Sequence, residues 1–366
     1  MTDAHAKYFS TPKSRRSILK GLGAAAVGIS LSGKKYSAWA AGEEPKLNFY
    51  NWDTYIGETT LADFQKASGI DVNMSLFATN DELFAKLRAG NPGFDVIVPG
   101  SEFVQRMIQA KLLEPLDHAK IPNIKNVAPE FIKDAPYDPG RKFSMPYTWL
   151  VIGIGYRKSK VKEVPDSWKY LFDSDEYKGR IAVMSDASEL FRNCFKYLGK
   201  SINDDSPELI KQAEAMLIKQ KPNIKSFHED NGQDLLLSGE VDVVMEYNGD
   251  IAQVMTEDDD LNFVVPKEGA MKQSDTLAIP KGAPHPENAL KFINFILDAK
   301  VGAAISETIK YPSPNAAAVA LMPASYKDNP VIFPPAEIMA KCEYPSYLGA
   351  DFTRLLDEAM TRLRAA

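Results

Sequence analysis

Short apolar runs and amphipathic stretches alternate along most of this chain. Lys46–Asn51 predicts a strand. Glu58–Ala67 predicts a helix, with Leu61 and Phe64 on one face and Gly69 as its stop. From Ile70 to Leu76 apolar and polar side chains alternate, the mark of a half-buried strand. Asn80 is placed to cap a helix through Ala89. Phe94–Pro99 is a short, nearly continuous apolar run, as in a buried parallel strand, and a helix from Glu102 to Lys111 follows. This βαβαβα order predicts a mostly parallel sheet covered by helices. Further strands are expected at Leu150–Tyr156, Gly179–Met184, Val241–Glu246, Leu261–Pro266 and Asp275–Pro280. One helix is expected to end at Gly199. Another starts at Ser206, with Pro207 at its first helical position, and runs to about Gln220. Pro286–Leu297 and Leu348–Arg364 complete the helices.

The first forty residues break this rhythm. Ser14-Arg15-Arg16-Ser17-Ile18-Leu19-Lys20 is a twin-arginine motif, Gly21 to Leu31 is apolar, and Ala38-Trp39-Ala40 is a small-residue cleavage site. That sequence of regions reads as a removable export signal. Its apolar part is shorter than the roughly 20 residues a bilayer span needs. The fold is therefore read from Ala41, and the expected location is the periplasm. The remaining length, roughly 325 residues, exceeds what one compact core usually holds, so two lobes are expected.

Removing the leader sharpens the charge. The whole chain has 43 Lys+Arg and 49 Asp+Glu; with seven basic residues and one acidic residue in the leader, 36 and 48 remain, a formal net charge of −12. An acidic chain lacks the basic face that a nucleic acid needs, and it steers cations inward. Acidic surfaces also simply keep exported proteins soluble. Only Cys194 and Cys342 carry thiols, and no C-x-x-C occurs. Two separate half-buried thiols are the favoured reading. A disulfide is the alternative that an oxidising compartment permits. His118, His228 and His285 stand far apart, in no metal-ligand pattern.

Ligands in open α/β sheets lie beyond the carboxyl ends of the strands. The loops expected there, 51–56, 99–103, 185–189, 246–250, 271–275 and 310–315, are rich in acids and aromatics. They hold Trp52, Asp53 and Tyr55; Glu102; Asp186 and Glu189; Tyr247 and Asp250; Gln273 and Asp275; and Tyr311. An alkylammonium offers three donors and no acceptor. Carboxylates accept those donors strongly, and aromatic faces attract the cation while covering methylenes. Each residue also has a plainer reading. Asp186 and Glu189 have capping-box spacing, which spacing alone favours. Trp52 and Tyr247 suit a core equally well. Asp275 suits a turn, and Asp250 a helix cap.

Several segments then resemble one family. Phe49-Tyr50-Asn51-Trp52-Asp53-Thr54-Tyr55, Gly69-Ile70-Asp71-Val72, Thr79-Asn80-Asp81-Glu82, Phe94-Asp95-Val96-Ile97-Val98-Pro99 and Glu176-Tyr177-Lys178-Gly179 are similar to the periplasmic spermidine/putrescine-binding proteins. So are Pro266-Lys267-Glu268-Gly269, Leu277-Ala278-Ile279-Pro280, Phe292-Ile293-Asn294-Phe295 and Tyr311-Pro312-Ser313-Pro314-Asn315. The resemblance covers nearly the whole chain after the leader. It implies a two-lobed α/β periplasmic-binding-protein fold, type II-like, with mixed sheets flanked by helices and a hinged cleft. It implies lobes of 41–151 plus 273–319 and 152–272 plus 320–366. Carried over by position, Trp52 and Tyr55 look like aromatic walls with Asp53 beside them, Asp186 and Glu189 like an acidic pair, and Tyr247 stands where Trp is usual. Asp250 matches an acid of the putrescine-preferring members, Asp275 looks like the main ammonium acceptor, and Tyr311 like the tyrosine at the cleft edge.

The departures matter too. Gly100 replaces a common Ser, Glu102 an aromatic or small residue, Gln273 an aromatic, and Pro345 a Gln of spermidine binders; Lys272 stands close by. The resemblance implies a small cationic amine ligand, an ABC permease in the inner membrane as partner, a monomer, no cofactor and no catalysis. Agmatine, γ-aminobutyrate or an arginine-like compound are alternative ligands, and a chemoreceptor-coupled sensor is an alternative role. An enzyme using Asp186 and Glu189 as acid and base is disfavoured. Three residues apart on one helix face they lie side by side, and glycoside hydrolysis needs two flanking carboxylates.

Overall fold

The computed structural model describes residues 43–133, 135–229 and 231–366; the twin-arginine motif and cleavage site lie outside them. Among the described residues nine strands join in one sheet. They are β1 (Lys46–Asn51), β2 (Asp71–Leu76), β3 (Val96–Ile97), β4 (Ser144–Arg157), β5 (Ile181–Met184), β6 (Ile224–His228), β7 (Val243–Tyr247), β8 (Leu261–Val264) and β9 (Lys272–Ala278). Their order is β2-β1-β3-β9-β4-β7-β5-β6, with β8 also on β4. β1 is parallel to β2 and β3, and β5 is parallel to β6 and β7. The pairs of β9 with β3 and β4, and of β4 with β7 and β8, are antiparallel. The expected mostly parallel sheet is thus parallel only at its flanks, where helices cross over, and antiparallel through its middle.

β4 joins the two flanks. Its residues 144–151 pair with β9, and its residues 152–157 with β7 and β8. Fourteen residues at about 3.3 Å each give it a reach of roughly 45 Å. The strand expected at Leu150–Tyr156 is only its second half. The first half is hidden from a periodicity reading by Pro146, which sits at a break in register between Pro146 and Thr148.

Buried apolar side chains divide on either side of the middle of β4. One core draws on residues 151–271 and 322–363, around Trp168, Phe172, Phe191 and Phe195. On the other side, two clusters draw on residues 47–150 and 277–311, around Phe49, Phe64 and Phe292 and around Tyr50, Leu83 and Ile97. Tyr247 packs against a core on each side.

Local signals set most element ends. Gly69, at φ 74°, closes the helix Thr60–Ser68 by returning its N–H to Gln65. Ser206 caps Pro207–Gln220 through the Leu209 N–H. Thr79, rather than Asn80, caps Asn80–Arg88: its hydroxyl accepts the Glu82 N–H at 3.1 Å. The Asn80 amide oxygen accepts the Gly100 N–H at 3.0 Å instead. Asp275 lies inside β9, opposite Thr148, and not in a turn before a strand. Asp250 sits in the first turn of Asn248–Val254, with Tyr247 at the cap position, so it is not the cap. Both cysteines are free, and both are buried rather than half buried. Among the described residues no group of His, Cys, Asp or Glu could hold a metal ion, and no helix is long and apolar enough to cross a membrane.

Candidate functional site

A cavity of about 290 Å³ opens beside β4 and β9, and all eleven residues singled out in the sequence line it. Among the described residues its wall carries nine acidic side chains and two arginines, with no lysine or histidine. Three of the acids, Glu102, Glu189 and Asp250, occupy the first turns of the helices Ser101–Gln109, Ala187–Tyr197 and Asn248–Val254. A bare helix start attracts anions; a carboxylate there answers that partial charge and turns the place acidic.

The inner end is built from the loop after β1. Asn51 is buried, and its Nδ2 donates to the Tyr55 carbonyl at 3.0 Å, which curls the chain between them. Trp52 donates its indole N–H to the Val98 carbonyl at 2.9 Å and packs on Phe77 at 4.3 Å between ring centres. Tyr55 meets Tyr311 edge to face at 5.2 Å and Tyr147 at 5.6 Å. Gly249 permits the close approach of Tyr311, because a Cβ there would stand 2.5 Å from the ring.

Asp275 is 8% exposed at this end. The Tyr55 hydroxyl donates to its Oδ2 at 2.9 Å, and the same hydroxyl bonds Thr148. Among the described residues no Lys, Arg or His pairs with Asp275. Burial raises its pKa to about 6, against the pull of the Tyr55 hydroxyl. Tyr55, Tyr247 and Tyr311 are pushed well above the ordinary phenol range, first by burial and then by neighbouring carboxylates, so they stay neutral donors.

The middle is a polar knot. Tyr247 donates its hydroxyl to Glu189, and Gln273 Nε2 donates to the same Glu189 oxygen at 3.2 Å. Asp186 caps the helix Ala187–Tyr197 by accepting the Glu189 N–H at 2.9 Å, so the capping reading holds while the residue also faces the cavity. The Asp186 side chain is exposed to the cleft, yet the protein around it pushes its carboxyl up.

The outer end differs in kind. Glu102 meets Arg192 at 3.2 Å, and the Arg192 side chain is entirely buried. Burial raises the Glu102 pKa, with Arg192 acting the other way. Asp81 meets Arg106 at 3.1 Å, and the Arg106 guanidinium lies over Phe84 at 4.0 Å, Phe103 at 5.3 Å and Tyr347 at 5.6 Å. Sequence reasoning missed both arginines. Arg192 sits in the apolar run Leu190–Phe195, and its signal is the spacing of four from Ser188, whose hydroxyl it reaches at 2.9 Å. Lys272 turns its ammonium over the Tyr344 ring at 4.9 Å and does not line the cavity, and neither does Pro345.

Comparison with known proteins agrees with this architecture. Residues 59–334 match the family model for bacterial extracellular solute-binding proteins. The chain is 34% identical over 343 residues to the putrescine-binding periplasmic protein PotF of Escherichia coli, covering 89% of this chain and 93% of that one. It is 32% identical over 362 residues to the putrescine-binding periplasmic protein SpuD of Pseudomonas aeruginosa, covering 94% and 98%. Among solved structures, the spermidine/putrescine ABC transporter substrate-binding protein PotD of Streptococcus pneumoniae superposes with a TM-score of 0.79 at 30% identity, covering 87% and 98%. On the extent of these matches, the chain belongs to the bacterial extracellular solute-binding protein family and has its two-lobed α/β fold.

Proposed function

We propose that this protein captures a polyamine cation in its cleft, outside the inner membrane, and presents it to an ABC importer. The observation that carries this reading is Asp275: a buried carboxylate that, among the described residues, has one hydroxyl partner and no cation, walled by aromatic rings. An ammonium supplies the missing charge and three donors. Trp52, Tyr55, Tyr247 and Tyr311 offer faces for the methylenes, and Asp186, Glu189 and Asp250 supply acidity for a second ammonium. Relatives named for putrescine and for spermidine/putrescine support the same ligand class. Export follows the twin-arginine signal of residues 14–20. The lobes are 41–151 plus 273–319 and 152–272 plus 320–366, and they close on the ligand by hinging where β4 and β9 cross. The closed monomer then docks on the permease, and the captured ligand leaves unchanged.

A thermal-shift screen of ligand-stripped protein tests this. Putrescine, cadaverine, spermidine, spermine, agmatine, γ-aminobutyrate, arginine and neutral sugars are compared. A ligand at 100 times its dissociation constant adds about 2.7 kcal/mol of stability. The expected result is a shift with one or two polyamines. A shift with a sugar or an amino acid, and with no polyamine, sinks the reading.

A further inference from the structure

The wall of this cleft contains a cation of its own. Arg192 is wholly buried, and each of its donors is spent on protein. Nε donates to Ser188 at 2.9 Å. Nη1 donates to the Ile202 carbonyl at 3.1 Å and to Asn203 at 2.9 Å. Nη2 donates to Glu102 at 3.2 Å and to the Ser346 carbonyl at 2.9 Å. A guanidinium has five N–H bonds to give, and these five acceptors take them all. Arg192 therefore has no donor left for a ligand's carboxylate, and it does not read a zwitterion. What remains is a fixed positive charge at the outer end of the cavity, set against the carboxylate that would otherwise receive a cation there.

We propose that Arg192 acts as a length gauge: it takes the place of a ligand's outermost ammonium at Glu102, so the cleft selects a short diamine over a triamine. This rests on the polyamine reading above and specifies the ligand within it. The two ends of the wall differ in whether the carboxylate is already answered by a cation. Asp275 has a hydroxyl and awaits a cation, whereas Glu102 already has one. A short diamine places one ammonium at Asp275 and the other among the acids of the middle, which include Asp186. The third charge of a longer chain meets an occupied carboxylate and a like charge held in a low-dielectric wall, where repulsion is poorly screened. The gauge works by charge and not by volume.

Calorimetric titration of the ligand-stripped protein with putrescine, spermidine and γ-aminobutyrate tests it. The expected result is putrescine at least tenfold tighter than spermidine, with no binding of γ-aminobutyrate. Arg192→Gln leaves Glu102 free and should improve spermidine tenfold or more while putrescine changes little. Glu102→Gln leaves Arg192 uncompensated and should weaken spermidine further, again with little change for putrescine. The Glu102 side chain keeps 16% exposure and Arg192 none, so this second variant decides the matter if Arg192→Gln does not fold. Equal affinity for the two amines, or a ratio that neither variant moves, overturns the gauge and leaves the polyamine reading standing. Tight γ-aminobutyrate binding overturns the claim that Arg192 is spent. Failure of every amine to bind overturns both readings together.

Discussion

Asp275 and Glu102 line one cavity, and burial pushes both carboxyls up. Their partners differ. Glu102 faces a buried guanidinium that holds four further acceptors, while Asp275 has a tyrosine hydroxyl. A carboxylate answered from within is part of the scaffold. A carboxylate answered only by a hydroxyl costs the empty protein stability and regains it when a cation arrives. Binding energy in this cleft is thus held as unmet charge at one end, and the other end is already settled.

The sharpest way to break this contrast is to remove each acid in turn. Asp275→Ala should weaken amine binding by about 2–5 kcal/mol, since the ammonium loses its buried partner. Titration with the amine found in the screen reads this directly. Asp275→Asn should lose binding as well, yet stabilise the ligand-free protein at neutral pH by up to about 3 kcal/mol, because a strained charge is gone. Glu102→Gln should instead destabilise it by about 1.5–3 kcal/mol, the worth of a hydrogen bond to a charged group. Chemical denaturation of the two variants gives the answer. Changes of the same sign would mean that the two ends are not electrostatically different.

A smaller effect follows from protonation. Asp275 carries a pKa of about 6 in the folded chain against an ordinary 3.8. The folded state holds this proton more tightly than the unfolded one. Its contribution to ligand-free stability is therefore fully present below pH 3.8 and is lost as pH rises through 6. Amine binding runs the other way, since it needs the charged form. Affinity should fall about tenfold per pH unit below 6. A flat affinity between pH 7 and pH 5 in the unaltered protein would remove Asp275 from the ammonium site.

The two ends were not equally legible in the sequence. Trp52 and Tyr55 follow the end of β1, where a parallel-sheet reading looks for ligands; Asp275, expected beside a strand end, lies inside β9, and Tyr311 follows the helix Ala299–Ile309, yet all four line the cavity. The outer end depends on contacts that periodicity does not carry. Arg192 lies between Phe191 and Asn193 on a helix whose apolar neighbours suggest a core, and its acceptors come from residues 102, 188, 202, 203 and 346. No local window contains that set. The same limit explains β4. Its first half is fixed by pairing with β9, more than a hundred residues away in sequence, and Pro146 within it argues locally against a strand. Capping chemistry, by contrast, is local, and Ser206 and Gly69 stand where the sequence puts them.

The subtlest test separates the ring of Tyr55 from its hydroxyl. The ring packs edge to face with Tyr147 and Tyr311, and Phe keeps that packing. The hydroxyl donates to Asp275 and is the group that favours its charged form. Tyr55→Phe should therefore raise the Asp275 pKa further and move the midpoint of the binding–pH curve upward. Near pH 8.5 the carboxylate is ionised in both proteins, and the loss should stay within about 1 kcal/mol, the net worth of one hydrogen bond. Near pH 6 the variant should bind several-fold more weakly than the parent, because more of its Asp275 is neutral. Amine titrations at the two pH values measure the difference. An equal loss at both would mean that Tyr55 touches the ligand and does not tune the acid, and Asp275 would then owe its shift to burial alone.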